Sequence, residues 1–213
     1  MNETDVLKIL EGVGAVITNS HIVYTSGKHG SAYINKDALY PHTKKTSILC
    51  RTIAKHYEGD DIEAVIAPAV GGVILATWTA YHLSEYTGRD VLCTYADKAT
   101  INGEDDFVIK RGYDKIVANK NVLVVEDLLT TGGSVRKVVV AVRKTGGRVV
   151  GAGVLCNRGG VTHTDICDVP RLVVLANIKM DAWDEKDCPL CKQGVPINTS
   201  IGHGKAFLAR KQE

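Results

Sequence analysis

The chain has 213 residues, 45% of them hydrophobic and 23% charged, with a formal net charge of +2. That length fits one compact domain burying roughly 70% of its unfolded surface. The near-neutral charge argues against a protein that coats nucleic acid or a membrane surface. No apolar run approaches the ~20 residues of a membrane span, and the opening MNETDVLKIL is too polar for a signal peptide. Six scattered cysteines are too few for a secreted disulfide scaffold. A reducing cytoplasm is therefore expected, and the Asn198-Thr199-Ser200 sequon has no consequence there.

In chain order, Val6, Ile9, Leu10 and Val13 predict a short amphipathic helix. Residues 14–36 read as β-rich, with turns at Thr25-Ser26-Gly27 and His29-Gly30. A helix after Pro41 carries Leu49, Ile53 and Tyr57 at fourfold spacing. Then follow strand 62–67, helix 72–87, strands 90–95 and 121–126, helix 133–145, and strands 148–156 and 171–178. Trp78, Tyr81 and Tyr86 on helix 72–87 read as core or dimer packing. Strands alternating with helices imply an α/β fold with a mainly parallel sheet covered on both faces. The interval 97–113, DKATINGEDDFVIKRGY, breaks the periodicity. It is highly charged and long for a connection, which marks a functional or disordered loop.

The most informative stretch is VLVVEDLLTTGGS, Val122 to Ser134. Val122 to Val125 is a continuous β-branched-rich run, as in a parallel strand buried on both faces. Glu126 and Asp127 follow at once. Beyond them Val135, Val138, Val139 and Val142 form a helical stripe that Gly146-Gly147 ends. The loop Thr130, Thr131, Gly132, Gly133, Ser134 therefore opens a helix, where unsatisfied N–H groups and the dipole favour an anion. It is neither a GxxxxGK[ST] loop nor a GxGxxG loop. An acidic pair beside an anion-seeking loop suits a sugar diol next to a phosphate.

These residues resemble the signature of the type I phosphoribosyltransferases, which bind phosphoribosyl pyrophosphate (PRPP). The resemblance implies that family's fold: a mainly parallel five-stranded sheet flanked by helices, with a small hood. The whole of 1–213 would form one such domain, with 1–40 and 180–213 as hood or flanking segments and 97–113 as a mobile active-site loop. It also implies that Glu126 and Asp127 contact the ribose hydroxyls, that Thr130 to Ser134 wrap the 5′-phosphate, and that Leu128 and Leu129 between them belong to the same PRPP-binding stretch. APAVGGVILA, at 67–76, resembles the pyrophosphate-side loop, with Gly71 and Gly72 offering backbone N–H groups and Gly71 standing where many members carry lysine. ITNSHIVYTSGKHGSAYINKD resembles the TSGR-x-S-x-Y-x-N segment of orotate phosphoribosyltransferases, with Lys28 in place of the usual arginine and with Tyr33 in the pattern. Asn157-Arg158 resembles the Asp-Arg whose arginine grips the orotate carboxylate, a role for which a bidentate guanidinium is suited. Thr130, Lys28 and Tyr33 complete the implied orotate contacts.

The mobile-loop pattern RKE-x-K-x-H-G-x-G is not present. Lys98 fits its first lysine, the second lysine and the histidine have no counterpart, and Lys110-Arg111 offers positive charge. Lys98, Arg111 and Lys28 would thus face PRPP, and Lys98, Glu126 and Asp127 would be the residues on which catalysis depends. The implied reaction is attack of orotate N1 on C1 of PRPP, with Mg2+ held mainly through PRPP near Glu126 and Asp127. A homodimer sharing the loop across its interface is expected, with no nucleic acid or membrane partner. The signature does not name the acceptor base, so transfer to a purine is the nearer alternative and a non-catalytic PRPP-sensing regulator the more distant.

Outside this pattern, Cys188-Pro-Leu-Cys191 has metal-ligand spacing but supplies half of a four-ligand site. Cys156, Cys167 or His203 would contribute only if the fold brings them close. Two reduced cysteines pinning a C-terminal turn are the reading favoured here. His29 is compatible both with a phosphoribosyl contact and with a solvated turn.

Overall fold

A computed structural model of the chain describes residues 1–210; the expected C-terminal flanking segment runs past them, and 211–213 lie outside the described residues. The elements in order are α1 (Glu3–Glu11), four two-residue strands β1 (Val16–Ile17), β2 (Ile22–Val23), β3 (His29–Gly30) and β4 (Tyr33–Ile34), and α2 (Thr43–His56). Then come β5 (Ala64–Pro68), α3 (Gly72–Thr87), β6 (Leu92–Ile101), β7 (Glu104–Val108), α4 (Tyr113–Val117), β8 (Asn121–Leu129) and α5 (Gly133–Lys144). The chain ends with β9 (Arg148–Asn157), β10 (Leu172–Asn177), α6 (Pro189–Lys192) and α7 (Gly204–Arg210). No described helix is long and apolar enough to cross a membrane.

Two compact units emerge: Met1–Val6 with Tyr40–Ile178, and Leu7–Leu39 with Lys179 onward. The larger holds a sheet of order β10-β9-β8-β5-β6-β7, parallel except where β7 runs antiparallel to β6. Five parallel strands match the expected number, and β7 adds a sixth. β5 and β8 are buried at nearly every position because helices cover both faces. Val135, Val138, Val139 and Val142 of α5 pack against Val122, Val124, Ala152 and Val154, as their helical stripe anticipates. On α2, Leu49 and Ile53 are buried, and the Tyr57 hydroxyl donates to the Ala152 carbonyl at 2.8 Å.

The interval 97–113 is not an irregular loop. Asp97 to Ile101 pair with Glu104 to Val108 in a hairpin. The two-residue turn is Asn102-Gly103, with φ of 53° and 82°. Both values suit a turn whose twist matches the strands, and Asn-Gly is the strongest short-range sequence signal for it. Of the charges that obscure the periodicity, Lys98, Glu104 and Asp105 are exposed and Asp97 and Asp106 half-buried, while Phe107 and Ile109 pack on the α5 core.

The smaller unit is built from short pairings, β1 with β4 and β2 with β3, both antiparallel. His29 exchanges backbone hydrogen bonds with Trp183 at 2.8 Å in each direction. The Asn198 N–H donates to the His21 carbonyl and the His203 N–H to that of Val23, each at 2.8 Å. These bonds tie the C-terminal segment to the β2–β3 hairpin.

Candidate active site

β5 has β6 on one side and β8 on the other, so the chain reverses its direction of travel across the sheet there. In open parallel sheets, ligands bind outside the carboxyl ends of strands at such a switch point. Two segments meet this description. After β5 the chain passes through Ala69 to Gly71 into α3, with a cis Ala69–Val70 peptide. After β8 it passes through Thr130 to Gly132 into α5.

β8 continues two residues beyond the acidic pair, to Leu129. Adjacent strand residues point to opposite faces. Glu126 therefore shares the side of Val122 and Val124, beneath α5, and lines an open concavity of about 320 Å³ with Leu128, Leu129 and residues 130–135. Asp127 points to the other side, where the Tyr40 hydroxyl donates to its Oδ2 at 2.6 Å. Both carboxylates are nearly buried, at 8% and 5% exposure. Glu126 Oε1 also accepts from the Asp127 N–H at 3.0 Å. The acids are thus two separately oriented groups at one sheet edge. Burial, reinforced by the Asp127 charge, pushes the neighbouring Cys156 thiol up to about 12.

The loop geometry follows from its residue types. Gly132 is the N-cap of α5 at φ 75°, and a Cβ there would lie 2.8 Å from Ile166 Cγ2. Only glycine combines that backbone with that space. Thr130, Thr131 and Ser134 are exposed around it. The first N–H groups of α5 have no partner within the helix and face this rim, so anion binding is the chemistry the arrangement supports.

Arg158 lies where β9 ends, and its Nε donates to Thr130 Oγ1 at 3.0 Å. Its backbone N–H donates to the Leu129 carbonyl, also at 3.0 Å. The segment is clamped by buried Asn157, whose Oδ1 accepts from Gly159 and Val161 and whose Nδ2 donates to the Val161 carbonyl at 2.8 Å. Gly159 packs so closely that a Cβ would fall 1.6 Å from the Thr130 carbonyl oxygen.

Lys98 and Arg111 belong to the hairpin and its return. Lys98 pairs with Asp105 at 2.8 Å and Arg111 with Asp97 at 3.4 Å, all in the same larger unit. The Lys98 ammonium holds the Asp105 carboxyl below its usual range. Because β6 pairs with β5 only as far as Ala96 with Pro68, Lys98 lies beyond the sheet's carboxyl edge. Gly71 is the N-cap of α3 and Gly72 its first residue. Lys28 and Tyr33 belong to the smaller unit, where exposed Lys28 pairs with Asp184 at 3.3 Å.

Tyr40 and Asn157 shape the site although no local sequence signal marks either for that role. Tyr40 is 87 residues from its partner Asp127, and no spacing rule links them. Asn157 enters the sequence pattern only as the neighbour of Arg158.

The phosphoribosyl transferase domain profile matches residues 36–175. An orotate phosphoribosyltransferase from Pelotomaculum thermopropionicum is 36% identical over 197 residues, covering 92% of this chain and 95% of that protein. One from a Thermoanaerobacter species is 34% identical, covering 92% and 96%. Among solved structures, the orotate phosphoribosyltransferase from Aeropyrum pernix superposes with a TM-score of 0.59 at 26% identity, covering 81% of this chain and 93% of that one. With its signature at the switch point of the sheet and its likeness to these relatives over nearly their whole length, the chain belongs to the type I phosphoribosyltransferase family, most like its orotate-specific members.

Proposed function

We propose that this chain transfers the 5-phosphoribosyl group of PRPP to orotate, giving orotidine 5′-monophosphate and pyrophosphate. The observation carrying this reading is the Arg158–Thr130 contact at 3.0 Å, which joins a guanidinium to the anion-binding loop. The backbone of the α5 N-terminus, with Thr130, Thr131, Gly132, Gly133 and Ser134, would hold the 5′-phosphate. Remote binding energy of this kind fixes the orientation of C1. Glu126 and Asp127 would accept hydrogen bonds from the ribose hydroxyls, with Tyr40 setting the orientation of Asp127. Arg158 would hold the orotate carboxylate.

The N1–C1 bond forms as the bond from C1 to the diphosphate oxygen breaks, N1 gives up its proton, and the configuration at C1 inverts. Gly71 and Gly72 would offer N–H groups to the diphosphate. Lys98 and Arg111 would carry compensating positive charge, and one positioned donor of this kind is worth about 10²–10³ in rate. The 97–113 hairpin would cover the site, since a sugar cation is readily captured by water.

The carboxylates of Glu126 and Asp127 are hard oxygen donors at one sheet edge, which fits Mg2+ held largely through PRPP. Such an ion, when bound, would neutralise charge on the departing diphosphate. A homodimer in the cytoplasm completes the proposal. Ile48, Ile74 and Tyr81 are large apolar side chains left exposed on α2 and α3, and a second copy of the chain would cover them.

The test is pyrophosphate release with PRPP, Mg2+ and, separately, orotate, uracil, adenine, hypoxanthine or xanthine. Release with orotate alone is expected. Release with a purine would reassign the acceptor, and none with any base would leave a PRPP-binding regulator.

A further inference from the structure

Three separated stretches of the smaller unit converge on one point. His21 precedes β2, His29 opens β3, and Cys188 and Cys191 bracket the start of α6. One ligand-type atom from each of the four lies within 4.8 Å of the other three. Cys188 Sγ and Cys191 Sγ are each 3.7 Å from His21 Nε2, and Cys191 Sγ is 3.3 Å from His29 Nδ1. A tetrahedral zinc with Zn–N near 2.0–2.1 Å and Zn–S near 2.3 Å sets N···S edges of about 3.6 Å and an N···N edge of about 3.3 Å. These three of the four N···S edges already bracket that length. The two imidazole nitrogens, at 2.8 Å, would separate by about half an ångström on metal entry.

We propose that His21, His29, Cys188 and Cys191 form a structural Zn2+ site. The donor set of two thiolates and two imidazoles selects zinc over the oxygen-seeking cations. Four protein ligands fill a tetrahedral shell and leave no position open for substrate, which makes the site structural rather than catalytic. The surroundings agree. His21 Nδ1 lies 2.7 Å from the Val195 carbonyl, so it carries the proton and turns the Nε2 lone pair toward the cluster. Ligating histidines are held in this way by a partner on the second ring nitrogen. His21 is 2% exposed, while His29 and Cys188 are wholly buried. Phe207 packs edge-on against His29 with ring centres 4.9 Å apart, closing one side.

The cluster also answers a physical need. The smaller unit has strands only two residues long, and modules below ~70–80 residues are commonly stapled by a metal or disulfides. The cation would bind the β2–β3 hairpin to the C-terminal segment, a role the transferase reading neither requires nor supplies. The competing state is one proton shared between the imidazoles, with both thiols merely packed nearby.

The test uses untagged full-length protein grown with added zinc, desalted and analysed by plasma mass spectrometry. About one zinc per chain is expected, and its removal by a strong chelator should lower Tm. Cys188→Ser and Cys191→Ser should each fall below about a tenth of an equivalent, while Cys93→Ser, outside the cluster, retains its metal. Should those serine variants fail to fold, wild-type protein exchanged with Co2+ should show the visible d–d bands of a tetrahedral thiolate site. Folded wild-type protein with less than about a tenth of an equivalent of zinc and no cobalt bands would overturn the proposal. So would a Cys188–Cys191 disulfide in the protein as isolated.

Discussion

Replacing Gly159 by alanine tests the contact between the β9 loop and the phosphate-binding loop. The added Cβ would lie 1.6 Å from the Thr130 carbonyl oxygen, whereas Cβ atoms essentially never approach other heavy atoms within 3.0 Å. One side must therefore move by about 1.4 Å. The β9 loop resists, because Asn157 holds Gly159 and Val161 through three hydrogen bonds. Thr130 is exposed at the open rim and yields, carrying the 5′-phosphate cradle and its bond to Arg158 with it. A misplacement of about 1 Å can cost about 10²-fold in rate, so kcat/KM for PRPP should fall about 100-fold or more while Tm drops by only a few degrees. Gly160→Ala is the control. Its φ is 65° but nothing lies within 4 Å of a Cβ, so it costs about 1–2 kcal/mol of stability without displacing Thr130. Steady-state kinetics and thermal melts on both variants decide. Gly159→Ala turnover within threefold of wild type would refute this account of the loop.

Other substitutions separate the roles of neighbouring groups. Tyr40→Phe removes the 2.6 Å donor to Asp127; hydrogen bonds to charged groups contribute about 1.5–3 kcal/mol, and a rise in KM for PRPP of about tenfold or more should show it. Arg158→Lys should raise KM for orotate by about 10- to 100-fold and leave KM for PRPP nearly unchanged, because a point charge does not replace a bidentate fork. Glu126→Gln with Asp127→Asn should give a folded, almost inactive protein by circular dichroism and pyrophosphate release; near-normal turnover would sink the assigned roles. Alkaline stability depends on buried acids: burial pushes the Cys50 thiol and the Tyr57 phenol up to about 12. Each group favours the fold while protonated in both states, and that advantage fades as pH climbs from the unfolded pKa toward 12. Denaturant melts should lose about 1.4 kcal/mol per pH unit per group within that window, and Cys50→Ala should flatten the slope.

Much of the larger unit was legible because its signals are local. The apolar run at Val122 to Val125 and the stripe through Val142 specify a strand and a helix from near-neighbour spacing alone, and the structure places β8 and α5 there. Helix 72–87 coincides with Gly72–Thr87. The hairpin at 97–113 was also written locally, in Asn102-Gly103, but its charged strands masked the pattern. Where strands are only two residues long, as across 14–36, no periodicity can accumulate.

Local signals suffice for the strand-loop-helix that opens α5 and for the residue types around it, since backbone preference and burial period act over a few residues. What those residues meet depends on the packing of the whole fold. The pleat of β8 turns Glu126 and Asp127 to opposite faces, Tyr40 reaches Asp127 across the fold, and Arg158 arrives at Thr130 because β9 lies beside β8. The same holds for the cysteine pair. The residues that the sequence offered as its completion were Cys156, Cys167 and His203, whereas the structure brings His21 and His29 to Cys188 and Cys191. His29, compatible from its sequence with a solvated turn, is buried in β3. Contacts between residues far apart in the chain are set by packing and strand order, and those are properties of the whole fold rather than of any short window within it.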